Sequence, residues 1–162
     1  VKITFSKNVP LEATMEFEAC YPEQLRMDLF EKHDIFRAGW YPVWMFIDGH
    51  IAGEAYACRL SVLEDREGIP SYAFDDMQVA DYALYCHSNT VLPEFQGKGL
   101  GRILKAYCLG YWSGEATKIC GHARPGASVA LNASFGVTFH TEHPNWYGTG
   151  ETYRFYTLPL SG

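Results

Sequence analysis

The segment Val91-Leu92-Pro93-Glu94-Phe95-Gln96-Gly97-Lys98-Gly99-Leu100-Gly101-Arg102 constrains this chain more than any other stretch. It reads as the apolar end of a strand, a glycine-rich turn, and a basic residue opening a helix. In that order, the free N–H groups of a first helical turn and the positive end of the helix dipole face whatever the turn encloses, which is a setting for a phosphate. Glycine reaches positive φ without steric cost and admits a ligand close to the backbone. Successive N–H groups can then converge on one anion. Downstream, Leu100, Ile103, Leu104, Tyr107, Cys108 and Tyr111 recur at helical spacing as one apolar stripe. Arg102 and Lys105 fall off that stripe, and Ser113-Gly114 is a stop.

Two other phosphate loops do not fit. A P-loop requires Gly-Lys followed by Ser or Thr, and Gly97-Lys98 is followed by Gly99. A dinucleotide fingerprint requires Gly-x-Gly-x-x-Gly, but its last position falls on Arg102 counted from Gly97 and on Leu104 counted from Gly99.

The rest of the chain reads as one domain over residues 1–162. With 48% hydrophobic and 20% charged residues it has the makings of a packed core and not of a disordered segment. No apolar run is long enough to span a bilayer. The five cysteines form no Cys-x-x-Cys pair, which suggests a reduced, cytoplasmic protein. Charge is uneven: residues 1–80 hold 14 acidic and 7 basic side chains, residues 81–162 hold 5 and 6. The second half can accept a polyanion, the first favours a cationic partner, and neither is the basic face that nucleic acid wants.

Strands are expected at Lys2–Ser6, Tyr41–Ile47, Ile51–Leu60, Tyr82–Leu92, Lys118–Ala123, Val137–Thr141 and Glu151–Leu158, with Asp48-Gly49 as a hairpin turn. Helices are expected from Pro10, over Pro22–His33 with Leu25, Leu29 and Phe30 as its apolar face, after the glycine loop, and over Ala127–Ser134 with Gly136 as a C-cap. Residues 61–80 read as a polar loop. This is a mixed α/β layout around one sheet.

The run Gln96-Gly97-Lys98-Gly99-Leu100-Gly101 resembles the acyl-CoA pyrophosphate loop of the GNAT superfamily of N-acetyltransferases, Gln/Arg-x-x-Gly-x-Gly/Ala. The order of elements follows that fold too. The resemblance implies a twisted, mixed but mostly antiparallel sheet of about seven strands with about four helices, splayed between the fourth and fifth strands. It implies that acetyl-CoA lies in the gap, with its pantetheine along Asn89-Thr90-Val91-Leu92, and that the N–H of Val91 or Leu92 meets the thioester oxygen. Pyrophosphate would rest on the amides of Gly97 to Gly101, including Leu100, with Lys98 and Arg102 close by and Gln96 shaping the loop. The implied activity is direct acetyl transfer to a primary amine of a small molecule or protein. Dimers are frequent in the family.

The catalytic groups depart from the family pattern. The tyrosine that often precedes a Gly-Phe pair by four residues is replaced by Asn132, counted from Gly136-Val137. Asn132 can donate a hydrogen bond but cannot yield a proton. The glutamate some members carry on the fourth strand falls near Tyr85. His87, two residues on and on the same face, has an ordinary pKa near 6.5 that suits a base. Tyr147 in the late loop is a weaker candidate. These departures raise an alternative, a GNAT-fold binding or inhibitor protein that keeps CoA binding without turnover. His140-Thr141-Glu142-His143 lacks the spacing for a metal site, and Cys120-Gly121-His122 lacks an elbow or orienting acid for a nucleophile.

Overall fold

The computed structural model describes residues 1–37, 39–63 and 82–160, so most of the expected polar loop over 61–80 lies outside the described residues. Seven strands form one sheet: β1 Ile3–Ser6, β2 Tyr41–Ile47, β3 His50–Arg59, β4 Ala83–Val91, β5 Lys118–Ala123, β6 Thr138–His143 and β7 Tyr153–Pro159. Their order is β1-β2-β3-β4-β5-β7-β6. The β4–β5 pair is parallel and the other pairs are antiparallel. Three α-helices are described, α1 Leu29–Arg37, α2 Leu100–Trp112 and α3 Ala127–Ser134, together with a 3-10 helix over Leu11–Cys20. The β2–β3 hairpin turns at Asp48 and Gly49, with φ of 48° and 84°, the left-handed pair that a two-residue turn demands.

Alternation sorts β2 between two layers. Val43 and Met45 join Leu104, Cys108 and Trp112 of α2 on one face. Trp44 joins Leu11 and Phe17 of the 3-10 helix on the other. That helix buries Leu11, Thr14 and Phe17, a spacing of three that suits three residues per turn. Gly53 lets α2 settle close to the sheet, since a Cβ there would sit 3.0 Å from Leu104 Cδ2 and 3.1 Å from Met45 Cε.

Two helices differ from the expected pattern. The stretch over Pro22–His33 is broken into a short turn, Glu23–Leu25, and α1, which starts after Asp28. Asp28 Oδ1 accepts from the Glu31 N–H at 2.8 Å and Glu31 Oε1 accepts from the Asp28 N–H at 3.4 Å, a reciprocal cap that fixes the start. α1 buries Lys32, whereas Phe30 is 80% exposed. On α2 the buried stripe is turned, so that Lys105 is 2% exposed while Ile103 is 40% exposed. Lys105 lies under the Tyr156 and Trp112 rings, 5.4 and 6.0 Å from their centroids, with Nζ 3.3 Å from the Tyr156 hydroxyl. Tyr107 moves outward to stack on Phe5, at 3.9 Å between ring centroids.

The sheet opens between β4 and β5. Their pairing runs from Ala83–Lys118 to Cys86–Gly121 and stops, although both strands continue. Two features coincide there. Tyr56 pairs with Ser88 and Ala57 with Cys86, so His87 is an extra residue, a bulge that bends β4 away. Tyr156 of β7 also lies across Gly121, where a Cβ would stand 2.7 Å from its hydroxyl and 3.0 Å from the Cys86 carbonyl oxygen.

Candidate active site

One side of the opening is the glycine loop. The Leu92 N–H donates to the Ala52 carbonyl at 2.9 Å across the β3–β4 ladder. Of the two amides expected to reach a thioester oxygen, Leu92 is therefore already committed. Val91, opposite Gly53 in a non-hydrogen-bonded pair, points its N–H toward the gap. The Val91 carbonyl accepts from Gln96 Nε2 at 2.9 Å, which ties the loop to the end of its strand. Gly97 and Gly99 have φ of 80° and 75°, and nothing stands within 4 Å of a Cβ at either. Gly101 is already helical, so its conformation does not require glycine, and a Cβ there would meet Val91 Cγ2 at an ordinary 3.8 Å. Among the described residues, none accepts a hydrogen bond from the N–H groups of residues 97–102. Lys98 is exposed. Arg102 is docked on α3 and its C-cap, bonding Ser134 Oγ and lying 4.7 Å from the centroid of Phe135.

The other side is a cavity of about 350 Å³. Tyr85 and His87, singled out from the sequence, both line it, with ring centroids 4.7 Å apart. They are joined by His122 of β5, whose Nδ1 is 2.7 Å from the Tyr85 hydroxyl. Burial pushes the Tyr85 phenol well above its usual range. The His87 ring opens onto the cavity yet is hemmed in by Trp40, at 4.4 Å, and Tyr56, at 5.9 Å. Desolvation, with a smaller push from His122, lowers its pKa to about 3. His87 thus stands in the cavity as a candidate base, its affinity for a proton lowered by the rings around it while the side chain itself remains exposed to solvent.

Behind the cavity lies a network that the sequence did not reveal. Glu54 of β3, fully buried, accepts from Lys32 Nζ at 2.6 Å, Trp44 Nε1 at 3.0 Å and the Tyr21 hydroxyl at 2.9 Å. Lys32 also bonds Glu18 at 3.0 Å and the Thr14 carbonyl at 3.3 Å. The Tyr21 hydroxyl meets Ser88 Oγ on β4, just past the bulge. Burial raises the Glu54 carboxyl and Lys32 opposes that shift. The network pins the 3-10 helix, α1 and Tyr21, which lines the cavity, to the sheet.

Asn132 does not line the cavity. Its Nδ2 donates back to the Ser128 carbonyl at 2.9 Å, and its buried Oδ1 has no partner among the described residues. Buried Asn89 Oδ1 on β4 is in the same condition, while Asn89 Nδ2 holds the Gly101 carbonyl at 3.1 Å. Cys120 is buried and its thiol is pushed well up by desolvation, so it is no standing thiolate. His140 Nε2 pairs with the Thr157 hydroxyl at 2.8 Å and His143 Nε2 with that of Thr141 at 3.0 Å. Among the described residues no group of three or more His, Cys, Asp or Glu is placed to hold a metal ion. No described helix is long and apolar enough to cross a membrane.

A sheet split at its one parallel pair, with a glycine loop and a helix N-terminus at the mouth of the split, is the GNAT fold. The chain is similar over 99% of its length to a ribosomal-protein-alanine N-acetyltransferase from Escherichia coli, with 96% of that chain covered, a TM-score of 0.72 and 19% identity. It is similar over its full length to yncA from Salmonella typhimurium, assigned as an acetyltransferase and solved with its cofactor acetyl-CoA (96% of that chain, TM-score 0.74, 17% identity). An N-acetyltransferase from Staphylococcus aureus superposes with a TM-score of 0.76 at 14% identity, covering 99% of this chain and all of the other. No family model matches the chain, and neither does any curated protein sequence.

Proposed function

We propose that the chain is an acetyl-CoA-dependent N-acetyltransferase acting on a primary amine. The observation that carries this reading is the run of N–H groups from 97 to 102, with no protein acceptor, at the N-terminus of α2 and the mouth of the β4–β5 gap. The residues present fit the cosubstrate at a second place. That place is the Val91 N–H, which points into the gap at the end of β4.

Gly97 to Arg102 would hold the pyrophosphate through backbone amides, and the Val91 N–H would meet negative charge growing on an acyl oxygen. Acetyl-CoA supplies an acyl group already activated as a thioester. What the chain must add is removal of a proton from the acceptor ammonium. The Tyr85–His122 pair is arranged for this. With the phenol as donor, His122 Nδ1 takes the tyrosyl proton as the Tyr85 oxygen takes one from the amine side. Tyr85 acts by relay, since its raised pKa keeps it protonated at rest.

Calorimetric titration with CoA, paired with thiol release from acetyl-CoA over an amine panel, tests the reading. Micromolar CoA binding and release with at least one amine are expected. Absence of CoA binding overturns it, and binding with no release on any amine points to the non-catalytic alternative. His122→Ala should lower the rate about 100-fold or more with CoA affinity kept.

A further inference from the structure

The acceptor-side cavity has a composition that acetyl transfer alone does not require. Its walls are rings: Tyr21, Trp40, Tyr56, Tyr85, His122 and Trp146 all face it. Several are held against one another, His122 stacked on Trp146 at 4.1 Å and 19°, and Trp40 against Tyr56 at 5.6 Å. Among the described residues the charged side chains on the lining are Arg26 and Glu31. Arg26 donates through Nε to the Tyr21 carbonyl at 2.8 Å and through Nη2 to that of Ala19 at 3.3 Å. Glu31 closes the cap of α1. The other acidic groups nearby, Glu18 and Glu54, are paired with Lys32 behind the wall.

We propose, resting on the acetyltransferase reading above, that the acceptor is a primary amine carried on a flat aromatic body, an arylalkylamine. Stacked and edge-on ring contacts favour such a body beyond the area it buries. A single ammonium can approach over the faces of electron-rich rings. A second ammonium, as in a polyamine, would be desolvated against rings, since the one carboxylate on the lining among the described residues, Glu31, already accepts from the Asp28 N–H. A peptide would bring amide groups against rings that offer few partners. The transfer balances simply: the C–N bond forms, the C–S bond breaks with its electron pair on sulfur, and of the two protons lost by the ammonium one ends on the thiol and one in solvent.

The test measures thiol release at saturating acetyl-CoA with phenethylamine and tryptamine against hexylamine, spermidine and a peptide with an N-terminal alanine. CoA binding and phenethylamine binding to the CoA complex are followed by calorimetry alongside. The arylalkylamines should exceed spermidine and the peptide in kcat/KM by about tenfold or more, the equivalent of one good ring contact. Trp146→Ala should raise their KM by a similar factor with the KM for acetyl-CoA unchanged, and Trp146→Phe, which keeps a ring, should recover most of that loss. Preference for spermidine or the peptide, or indifference to Trp146→Ala, overturns the proposal while CoA binding leaves the acetyltransferase reading standing. If no amine turns over, failure of phenethylamine to bind the CoA complex overturns it equally. Failure of CoA itself to bind removes the underlying reading instead.

Discussion

The two sides of the β4–β5 opening are made of different materials. The loop side is backbone: N–H groups of one continuous stretch, shaped by two left-handed glycines and tied down by Gln96. The cavity side is side chains brought from separate places, Tyr21, Trp40 and Tyr56 from the first half, Tyr85 and His87 from β4, His122 from β5 and Trp146 from the last loop. A backbone site tolerates change in every side chain except where φ forbids one. A side-chain site can be rewritten ring by ring without touching the fold. The comparison implies that cofactor and acceptor functions can be damaged separately.

The largest expected effect is on the cavity side. Lys32→Met removes the cation shared by Glu18 and Glu54 and strands two carboxylates behind the wall. The loss should be about 3–5 kcal/mol in urea denaturation. Adding Glu54→Gln should recover part of it, because the stranded charge at the centre of the network disappears. No recovery would mean that the network is incidental to how Tyr21 and α1 are held.

On the loop side, Gly99→Asp places a Cβ at φ 75° and a carboxylate among amides that face an anion. Strain and like charge together should weaken CoA binding about 100-fold, or ~3 kcal/mol. Phenethylamine binding should move little, and the left-handed φ of a non-glycine residue should cost about 1 kcal/mol in stability. If Gly99→Asp abolished both ligands alike, the two sides would not be separable as argued.

That contrast in material also decides what was legible in the sequence. The glycine loop, the Asp48-Gly49 turn and α3 could be read because each is set by local backbone requirements on neighbouring residues. The seven strands were legible from their apolar runs, whereas the split was implied only by the resemblance to the GNAT superfamily. Glu54, Lys32 and Tyr21 could not be found, since their meeting depends on three elements folding onto one another and none carries a local signal. α1 could have been placed better: Asp28-Leu29-Phe30-Glu31 is a capping signature that starts a helix and turns Phe30 outward. Lys105 was misplaced because charge suggests solvent, whereas the rings of Tyr156 and Trp112 offer a lysine an interior alternative. His122 stands two residues from Cys120 in the sequence, where it suggests a base only for a cysteine nucleophile. Only the parallel register puts it against Tyr85.

A smaller effect is expected where the two sides meet. Gly121→Ala would force a methyl against the Tyr156 hydroxyl and the Cys86 carbonyl, neither of them the loose end of a flexible chain. The cost should be about 1–3 kcal/mol in stability. Gly121→Ala combined with Tyr156→Phe should be nearly as poor, because the backbone contact with Cys86 stays. Full rescue would instead assign the constraint to the phenol alone.

The mildest signature is a pH dependence confined to the cavity side. His87 has its folded pKa lowered from 6.5 toward about 3, a shift that the solvent exposure of its side chain discounts, so below 6.5 the unfolded chain binds a proton more readily than the folded chain. Stability should therefore rise with pH from about 3 to 6.5 and be insensitive to His87 above that. Denaturation midpoints across this window should climb less steeply in His87→Gln than in the parent, since glutamine removes the titration and keeps a polar side chain on the bulge. CoA affinity should be the same for both proteins at pH 7, where the ring is neutral. Identical slopes would mean that the exposed ring is well solvated despite its neighbours Trp40 and Tyr56 and keeps the ordinary pKa expected of a base.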